Sequence, residues 1–449
     1  MAETILIKNG LDIQLAGEAG KTLTEYKPAL FAIKPTDFQG VFPRLIVKEG
    51  DLVKAGSPLF YNKFNDRIQF TSPVSGTVKE VRRGEKRVLL EVIIESDGKF
   101  ESESFSPGDP LKLSREEIVQ NLLKSGAWAG IRQRPYTIVA DPGIKPKAVF
   151  VSAFDTHPLA PDYDFILKGS EKAFQTGLDA LSRLTDGKVH LSVHAAKTTS
   201  EAFLKAKNVS LHYFSGPHPS GNIGTQIAHI DPINKGEYVF VLRPQEVVTI
   251  GRLFLEGVYN PERILALTGS EVSNPVYVKT LQGANIGDLI RKNVTNKAVR
   301  IISGNVLTGN TLDQNGFAGF YEAQITVIPE GKYHEFLGWV TPGLNKLSVS
   351  RTFFSWLMPG KKYQLDTNMH GGHRAHVMTG VFENYFGWNI LPMQLIKACQ
   401  TEDIDMMENL GIYEVDEEDF ALCEFVDTSK TEIQTIIRNG INLIQKEMS

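Results

Sequence analysis

Residues 44–63, RLIVKEGDLVKAGSPLFYNK, and residues 68–94, which contain TSPVSGTVKEV, form two short strand–turn units in tandem. In the first, apolar residues stand at Leu45 and Val47, Gly50-Asp51 makes a turn, and Leu52-Val53, Gly56 and Pro58-Leu59 follow. The second ends in the apolar run 88–94. Short strands broken by glycines, which supply positive φ at tight turns, pair as a flattened sandwich. Arg82, Arg83, Lys86 and Arg87 are the densest basic cluster, and they flank Gly84 in a hairpin as a solvated turn.

After the first hundred residues the period changes. Ser114-x-x-Glu117 before an apolar run is a capping box, which predicts a helix over Arg115–Ser125. Residues 147–153 (KAVFVSA) predict a buried strand, 169–184 a helix, 188–195 a strand, 200–205 a helix and 209–214 a strand. That alternation argues for a Rossmann-like α/β layer with a parallel sheet. Residues 257–330 place strands at 263–268, 275–279, 299–303 and 321–328 around a short helix near 285–292, which suits a β-grasp. Residues 392–446 are helical, with apolar residues at helical spacing in 432–445. The chain is thus multidomain, mixed α/β and β. Residues 1–105 hold N-terminal strands and the sandwich, 106–256 the α/β domain, 257–330 the β-grasp, and 331–449 a connecting segment and a C-terminal helical domain.

Composition narrows function by exclusion. Of 449 residues, 42% are hydrophobic and 22% charged, as in ordinary globular proteins. With 48 basic against 52 acidic residues there is no basic excess for phosphates, which argues against nucleic acid. Two cysteines, Cys399 and Cys423, make no disulfide framework and point to a reducing compartment. Residues 1–15 lack the apolar core of a signal peptide, and no run of about 18 apolar residues is long enough to span a membrane. A membrane role must therefore come through a partner.

The chemistry-bearing motifs are weak. SGPHPSGNIG at 215–224 follows a strand, but it lacks G-x-G-x-x-G spacing and two prolines remove amide donors. His370, His373 and His376 fall in NMHGGHRAHV, where Gly371-Gly372 argue for a loop rather than a metal-binding helix. His157 and His218 follow strands, where α/β proteins place ligands, but no further motif accompanies them. The acidic run 416–419 reads as a solvated face or a helix start. No Ser-His-Asp elbow, HExxH or P-loop is present.

The phrases VKEGDLVKAGSPL and SPVSGTV resemble the biotinyl/lipoyl-carrier fold, a barrel-sandwich hybrid. Laid on it, the hairpin tip reads Asn65-Asp66-Arg67-Ile68, with Arg67 at the modified lysine and Lys63 outside the motif. Arginine cannot form the amide to lipoate or biotin, so the resemblance implies an unmodified module. The module order resembles the flavin-binding, NADH-oxidising subunit of complex I and the C-subunit of the Rnf complex. Over nearly the whole length the chain resembles the A-subunit family of the sodium-translocating NADH:quinone oxidoreductases. The phrases carrying that resemblance are IKNGLDIQLAG, FPRLIVKEGDLVKAGSPLF, FTSPVSGTV, SGPHPSGNIGTQIAHIDPI, GGHRAHV and DEEDFALCEFVDTSKTE.

Against the flavin-binding relatives, the G-R-G-G-A-G-F-P loop corresponds to residues 125–135, where only Gly126 and Gly130 remain and Trp128 and Ile131 fill the phosphate's place. The C-x2-C-x2-C-x3-C-P motif of the iron–sulfur relatives falls on Glu417, Phe420, Cys423 and Asp427, with Thr428 at the proline. One cysteine of four cannot hold a cluster. The resemblance therefore implies a cofactor-free subunit with no catalytic or metal residues. It would lie on the cytoplasmic face of the bacterial inner membrane, held by membrane subunits, especially the B-subunit. The complex would use NADH, flavins, iron–sulfur and quinone in other subunits, oxidise NADH, reduce ubiquinone or another quinone, and pump Na⁺ outward. His373 and Arg374, with the aromatic stretch 381–391 (Phe382, Tyr385, Phe386, Trp388), are the expected partner- and quinone-proximal surface, with a buried core as the other reading of the aromatics. The alternatives are an independent flavin- or NADH-dependent oxidoreductase and an acyl or carboxyl carrier.

Overall fold

A computed structural model describes residues 3–294, 296, 298–332, 335–377 and 380–448; Met1, within the amino-terminal run read above, lies outside them. The tandem strand–turn units fold as read. A three-stranded antiparallel sheet (Pro43–Leu45, Pro58–Asn62, Asn65–Thr71) accompanies a four-stranded one ordered Leu30–Ile33, Leu89–Ser96, Gly76–Arg83, Leu52–Val53. Phe31, Leu59, Phe60, Phe70, Val78, Val92 and Ile94 belong to one buried core. The hairpin tip differs from the expectation. Asn62 pairs with Asn65, so Lys63-Phe64 form the turn and Arg67 lies within a strand. The cause is local: the Asn62 side-chain oxygen accepts from the amides of Phe42 and Phe64, both at 3.3 Å, closing the turn two residues early.

The helix Arg115–Ser125 carries the reciprocal capping box of Ser114 and Glu117 and ends at Gly126 with φ +80°. It packs on the sandwich, where the Thr71 hydroxyl donates to the Ser125 carbonyl at 3.0 Å. The next sheet has seven strands, ordered Thr4–Leu6, Ser210–Ser215, Val189–His194, Ala148–Ser152, Val239–Leu242, Arg132–Arg134, Ile138–Val139. The first five are mutually parallel, and the last two are antiparallel additions. In chain order the four α/β strands run 3-2-1-4, the order of a doubly wound dinucleotide fold. Helices Glu171–Ser182 and Pro244–Glu256 cross tightly, because Gly177 and Gly251 bring their backbones together.

A six-stranded mixed sheet follows, ordered Asn310–Leu312, Val299–Ser303, Gln324–Pro329, Glu262–Thr268, Val276–Leu281, Gly20–Glu25, with the helix Gly287–Asn293. The amino-terminal segment thus adds a strand to each of two sheets distant in sequence. Helices Pro392–Gln400, Ile404–Asn409, Ala421–Val426 and Ile433–Met448 enclose a separate core. Phe382 and Phe386 are buried in it, with Trp388 packed against them and Tyr385 partly buried, so the aromatics of 381–391 face inward rather than forming the expected docking surface. Their spacing along an irregular turn carries no period that would reveal direction. Between residues 330 and 391 the described residues form only the 3₁₀ turns Phe354–Leu357 and Phe382–Asn384.

Candidate functional site

The parallel strands end on one edge. Asp155 and His157 follow Ala148–Ser152, the 216–222 loop follows Ser210–Ser215, and Arg243 follows Val239–Leu242. Strands Ala148–Ser152 and Val239–Leu242 flank the point where strand order reverses, which is where doubly wound sheets hold ligands. His157 Nδ1 lies 2.5 Å from Asp155 Oδ1, the His157 and His218 rings are 4.5 Å apart, and Thr156 Oγ1 is 3.1 Å from His218 Nδ1. Burial disfavours charge on His157, but Asp155 outweighs it and raises the pKa above the ordinary value. Burial and then the charge of His157 hold His218 well below its own, so His218 is neutral. Asp155 sits below the carboxylate range, since His157 and Arg243 overcome its burial. The Asp155–His157 and Thr156–His218 contacts and the adjacent buried rings join the 153–157 and 216–222 loops to each other.

The space beside this edge is filled by the chain's own C-terminal region. Arg134 is 1% exposed; its Nη1 donates to Asp419 Oδ2 at 3.0 Å, its Nη2 donates to Glu418 Oε1 at 2.8 Å, and Asp416 lies 3.6 Å away. Arg438 donates to Asp416 at 2.5 Å, to the Tyr136 carbonyl at 2.8 Å, and to Glu417. The acidic run 416–419 is therefore a buried ionic lock as well as a helix start, not a solvated face: Asp416 and Asp419 are each 3% exposed. Burial pushes Asp419 and Glu417 upward, whereas Arg438 and Arg134 overcome the burial of Asp416 and hold it down. A Cβ on Gly224, early in the helix Ile223–Ile230, would collide with the Asp419 carboxylate and with Arg134. The start of this helix, which follows the third strand of the 3-2-1-4 order, thus faces the chain's own carboxylate.

The loop that would cradle a flavin phosphate does not fit one. Trp128 and Ile131 are fully buried, and the Trp128 indole donates to the Ala140 carbonyl at 2.7 Å. A Cβ on Gly126 would strike Thr71, so this glycine serves packing against the sandwich. The positions aligned with cluster ligands fit no cluster either. Phe420 packs on Phe386 at 4.9 Å, Asp427 accepts from the backbone amides of Ser429 and Thr431, and Cys423 is buried with its thiol pKa raised by burial. Burial pushes the Cys399 thiol up to about 12. Among the described residues no group of three or more His, Cys, Asp or Glu side chains could hold a metal.

His373 and Arg374 lie in an exposed loop pinned to residues 429–431. His373 Nδ1 contacts the Lys430 carbonyl at 3.0 Å, the Arg374 amide donates to the Ser429 carbonyl at 3.0 Å, and the Ser429 hydroxyl donates to the Ala375 carbonyl at 3.0 Å. With His376, Gln400 and Lys430 they border an open hollow of about 410 Å³. It is lined by Arg374 and Lys430 but also by Glu432, with both His376 ring nitrogens already engaged. His373 and Arg374 line this hollow with His376, whose ring lies 6.0 Å from that of buried Phe382. What sequence reasoning missed is the Arg134–Arg438 lock. Its only signal is four consecutive carboxylates with no cation nearby in sequence. No helix among the described residues is long and apolar enough to cross a membrane.

Comparison with known proteins finds likeness in three successive segments and over nearly the whole chain. Family models match residues 5–97 (NqrA N-terminal barrel-sandwich hybrid domain), 113–259 (NqrA second alpha/beta domain) and 264–314 (NQRA C-terminal domain). The A-subunit of the Na(+)-translocating NADH-quinone reductase of Hahella chejuensis is 38% identical over 99% of this chain and 100% of its own length. The A-subunits of Yersinia pestis and Neisseria meningitidis serogroup B are 38% and 39% identical, again over 99% of this chain and the whole of theirs. Among solved structures, an NAD+-reducing [NiFe]-hydrogenase chain aligns at 12% identity and TM-score 0.39, covering 76% of this chain and 63% of the other, too slight a likeness to bear on function. End-to-end identity at this level, on a sandwich, an α/β layer and a further mixed sheet in the same order, means that the chain belongs to the A-subunit family of the Na(+)-translocating NADH-quinone reductases.

Proposed function

We propose that the chain is a cofactor-free peripheral subunit of a membrane respiratory complex that oxidises NADH, reduces ubiquinone or another quinone and exports Na⁺. It lies on the cytoplasmic face of the inner membrane against the B-subunit. In this reading residues 257–330 are a β-grasp of the SLBB type, and the domains divide at residues 105, 256 and 330. The flavins and iron–sulfur centres belong to other subunits. The observation that supports the reading is that Arg134 and the carboxylates Glu418 and Asp419 form a buried ionic cluster packed against the start of the helix Ile223–Ile230. A doubly wound sheet with a buried ionic cluster of its own packed against one of its crossover helices suits a scaffold. Its contribution to quinone reduction is then to shape a site built mainly on a neighbour, through the hollow at His373 and Arg374.

The test is the His373→Ala/Arg374→Ala double variant in the assembled complex. Both side chains are exposed, so folding should be unaffected. Quinone reduction should fall severalfold, while NADH oxidation by an artificial acceptor persists. Full quinone reductase activity with normal assembly would remove the loop from the quinone junction. Loss of the artificial-acceptor reaction in an assembled complex would place the chain at NADH entry, as an independent oxidoreductase reading requires. A visible flavin band in the purified full-length chain would also overturn the cofactor-free assignment.

A further inference from the structure

The lobe between residues 336 and 363 carries several of the most exposed large apolar side chains of the described residues. Phe336 is 92% exposed, Trp339 76%, Val340 61%, Leu357 60%, Phe354 56% and Trp356 48%. Exposed tryptophans and phenylalanines in one segment mark a binding surface rather than ordinary solvent exposure. The lobe is folded back on itself: the Phe354 amide donates to the Pro342 carbonyl at 2.9 Å, and Lys361 Nζ donates to the Leu344 carbonyl at 2.7 Å. It is also anchored, since Tyr363 and the Gln14–Ala16 backbone exchange hydrogen bonds of 2.8 and 2.9 Å. Its aromatics are therefore presented on a positioned platform, which lowers the ordering cost of association.

Charge decides what covers it. Residues 336–365 contain Lys346, Arg351, Lys361 and Lys362 and no Asp or Glu, in a chain of net charge −4. A lipid surface would use such cations for anionic headgroups. Three of them are already engaged: Lys346 with Glu335, Lys361 with Leu344 and Asn345, and Lys362 with Glu18 at 3.1 Å. Arg351 instead lies 5.8 Å from the Trp356 ring centroid and pairs with no carboxylate among the described residues. The backbone here is irregular, and its polar groups would go unpaired in hydrocarbon but find partners on a protein. What remains is exposed Trp and Phe with one Arg beside Trp356, the composition of a protein-interface centre.

Resting on the functional reading proposed above, we infer that the 336–363 lobe docks this chain onto a companion protein of the same complex, in an apolar groove that supplies a carboxylate to Arg351. The experiment follows retention of the full-length chain when the complex is purified in detergent. The wild-type chain should co-purify; if it does not, the functional reading fails and this inference falls with it. Trp339→Ala/Trp356→Ala should reduce retention at least tenfold, with the circular dichroism and melting temperature of the isolated chain unchanged. Arg351→Glu should do likewise and Arg351→Lys should restore most of it, a pattern that general misfolding would not give. Normal retention of both the tryptophan and charge-reversal variants, with the wild type bound, would overturn the lobe assignment alone. Sedimentation of the isolated chain with phosphatidylglycerol vesicles but not phosphatidylcholine vesicles, abolished by the tryptophan changes, would assign the lobe to lipid and overturn it as well.

Discussion

Arg134 makes its contacts where a charge is most expensive to leave alone. It is buried against Asp416, Glu418 and Asp419, and Arg438 reaches only the Asp416 and Glu417 end of the cluster. Arg134→Met would strand the Asp419 carboxylate in a sealed site, at a cost of about 3–5 kcal/mol for a broken buried pair. The loss should depend on pH. Without the guanidinium, burial and Glu418 raise the folded-state pKa of Asp419 further above its unfolded value. The folded variant then binds a proton that the unfolded chain releases, so stability falls as pH rises above the unfolded carboxylate range. Thermal melts should show a larger deficit at pH 8 than at pH 5, and Asp419→Asn in the same background should recover part of it. An equal deficit at both pH values would mean that packing, not charge, is what Arg134 provides.

At the scale of elements, the helices Glu171–Ser182 and Pro244–Glu256 show what close approach demands. A Cβ on Gly251 would fall within the Ala173 carbonyl, and one on Gly177 within the Val247 carbonyl. Gly251→Ala should raise helix propensity by about 1 kcal/mol, but overpacking of about 1–3 kcal/mol or more outweighs it. The melting temperature should therefore fall, whereas Gly360→Ala, whose Cβ would meet nothing within 4 Å, should leave it unchanged or slightly higher. Elements set by local chemistry were legible in the sequence. The capping box at Ser114 gives the start of Arg115–Ser125, and apolar periodicity gives the last helix. Elements set by distant partners were not. Nothing near Asp419 indicates that its partner is Arg134, 285 residues away, and the turn at Lys63-Phe64 depends on a single Asn62 side chain. The aromatics of 381–391 and those of 336–358 look alike in sequence. Only the fold shows that the first set is core and the second is surface.

Across the whole molecule the amino-terminal segment is the tie that sequence order hides. Thr4–Leu6 extends the α/β sheet and Gly20–Glu25 extends the mixed sheet. Between them the Leu11 amide donates to the His218 carbonyl at 2.8 Å, Asp12 accepts from the His218 amide at 2.9 Å, and the Gly10 amide donates to the Asn384 carbonyl at 3.0 Å. Gln14 and Ala16 then hold Tyr363 at the base of the exposed lobe. One strip of chain thus joins the 216–222 loop, the helical region and the docking lobe, so their relative positions are set together. Ile7 is its best-buried anchor, 2% exposed and packed with Phe154 and Phe214. Ile7→Asp places an unpaired carboxylate there, a change of the kind that costs several kcal/mol. The strip should loosen before the rest of the chain unfolds, because its contacts are few and lie at a sheet edge. Hydrogen exchange should then accelerate in residues 7–16, 153–157 and 216–222 and around Tyr363. The sandwich strands Pro58–Asn62 and Leu89–Ser96, which share no contact with Ile7, should exchange as in the wild type. Acceleration confined to residues 4–8 would show that the strip is a passive edge strand, with the lobe and the switch point held by other contacts.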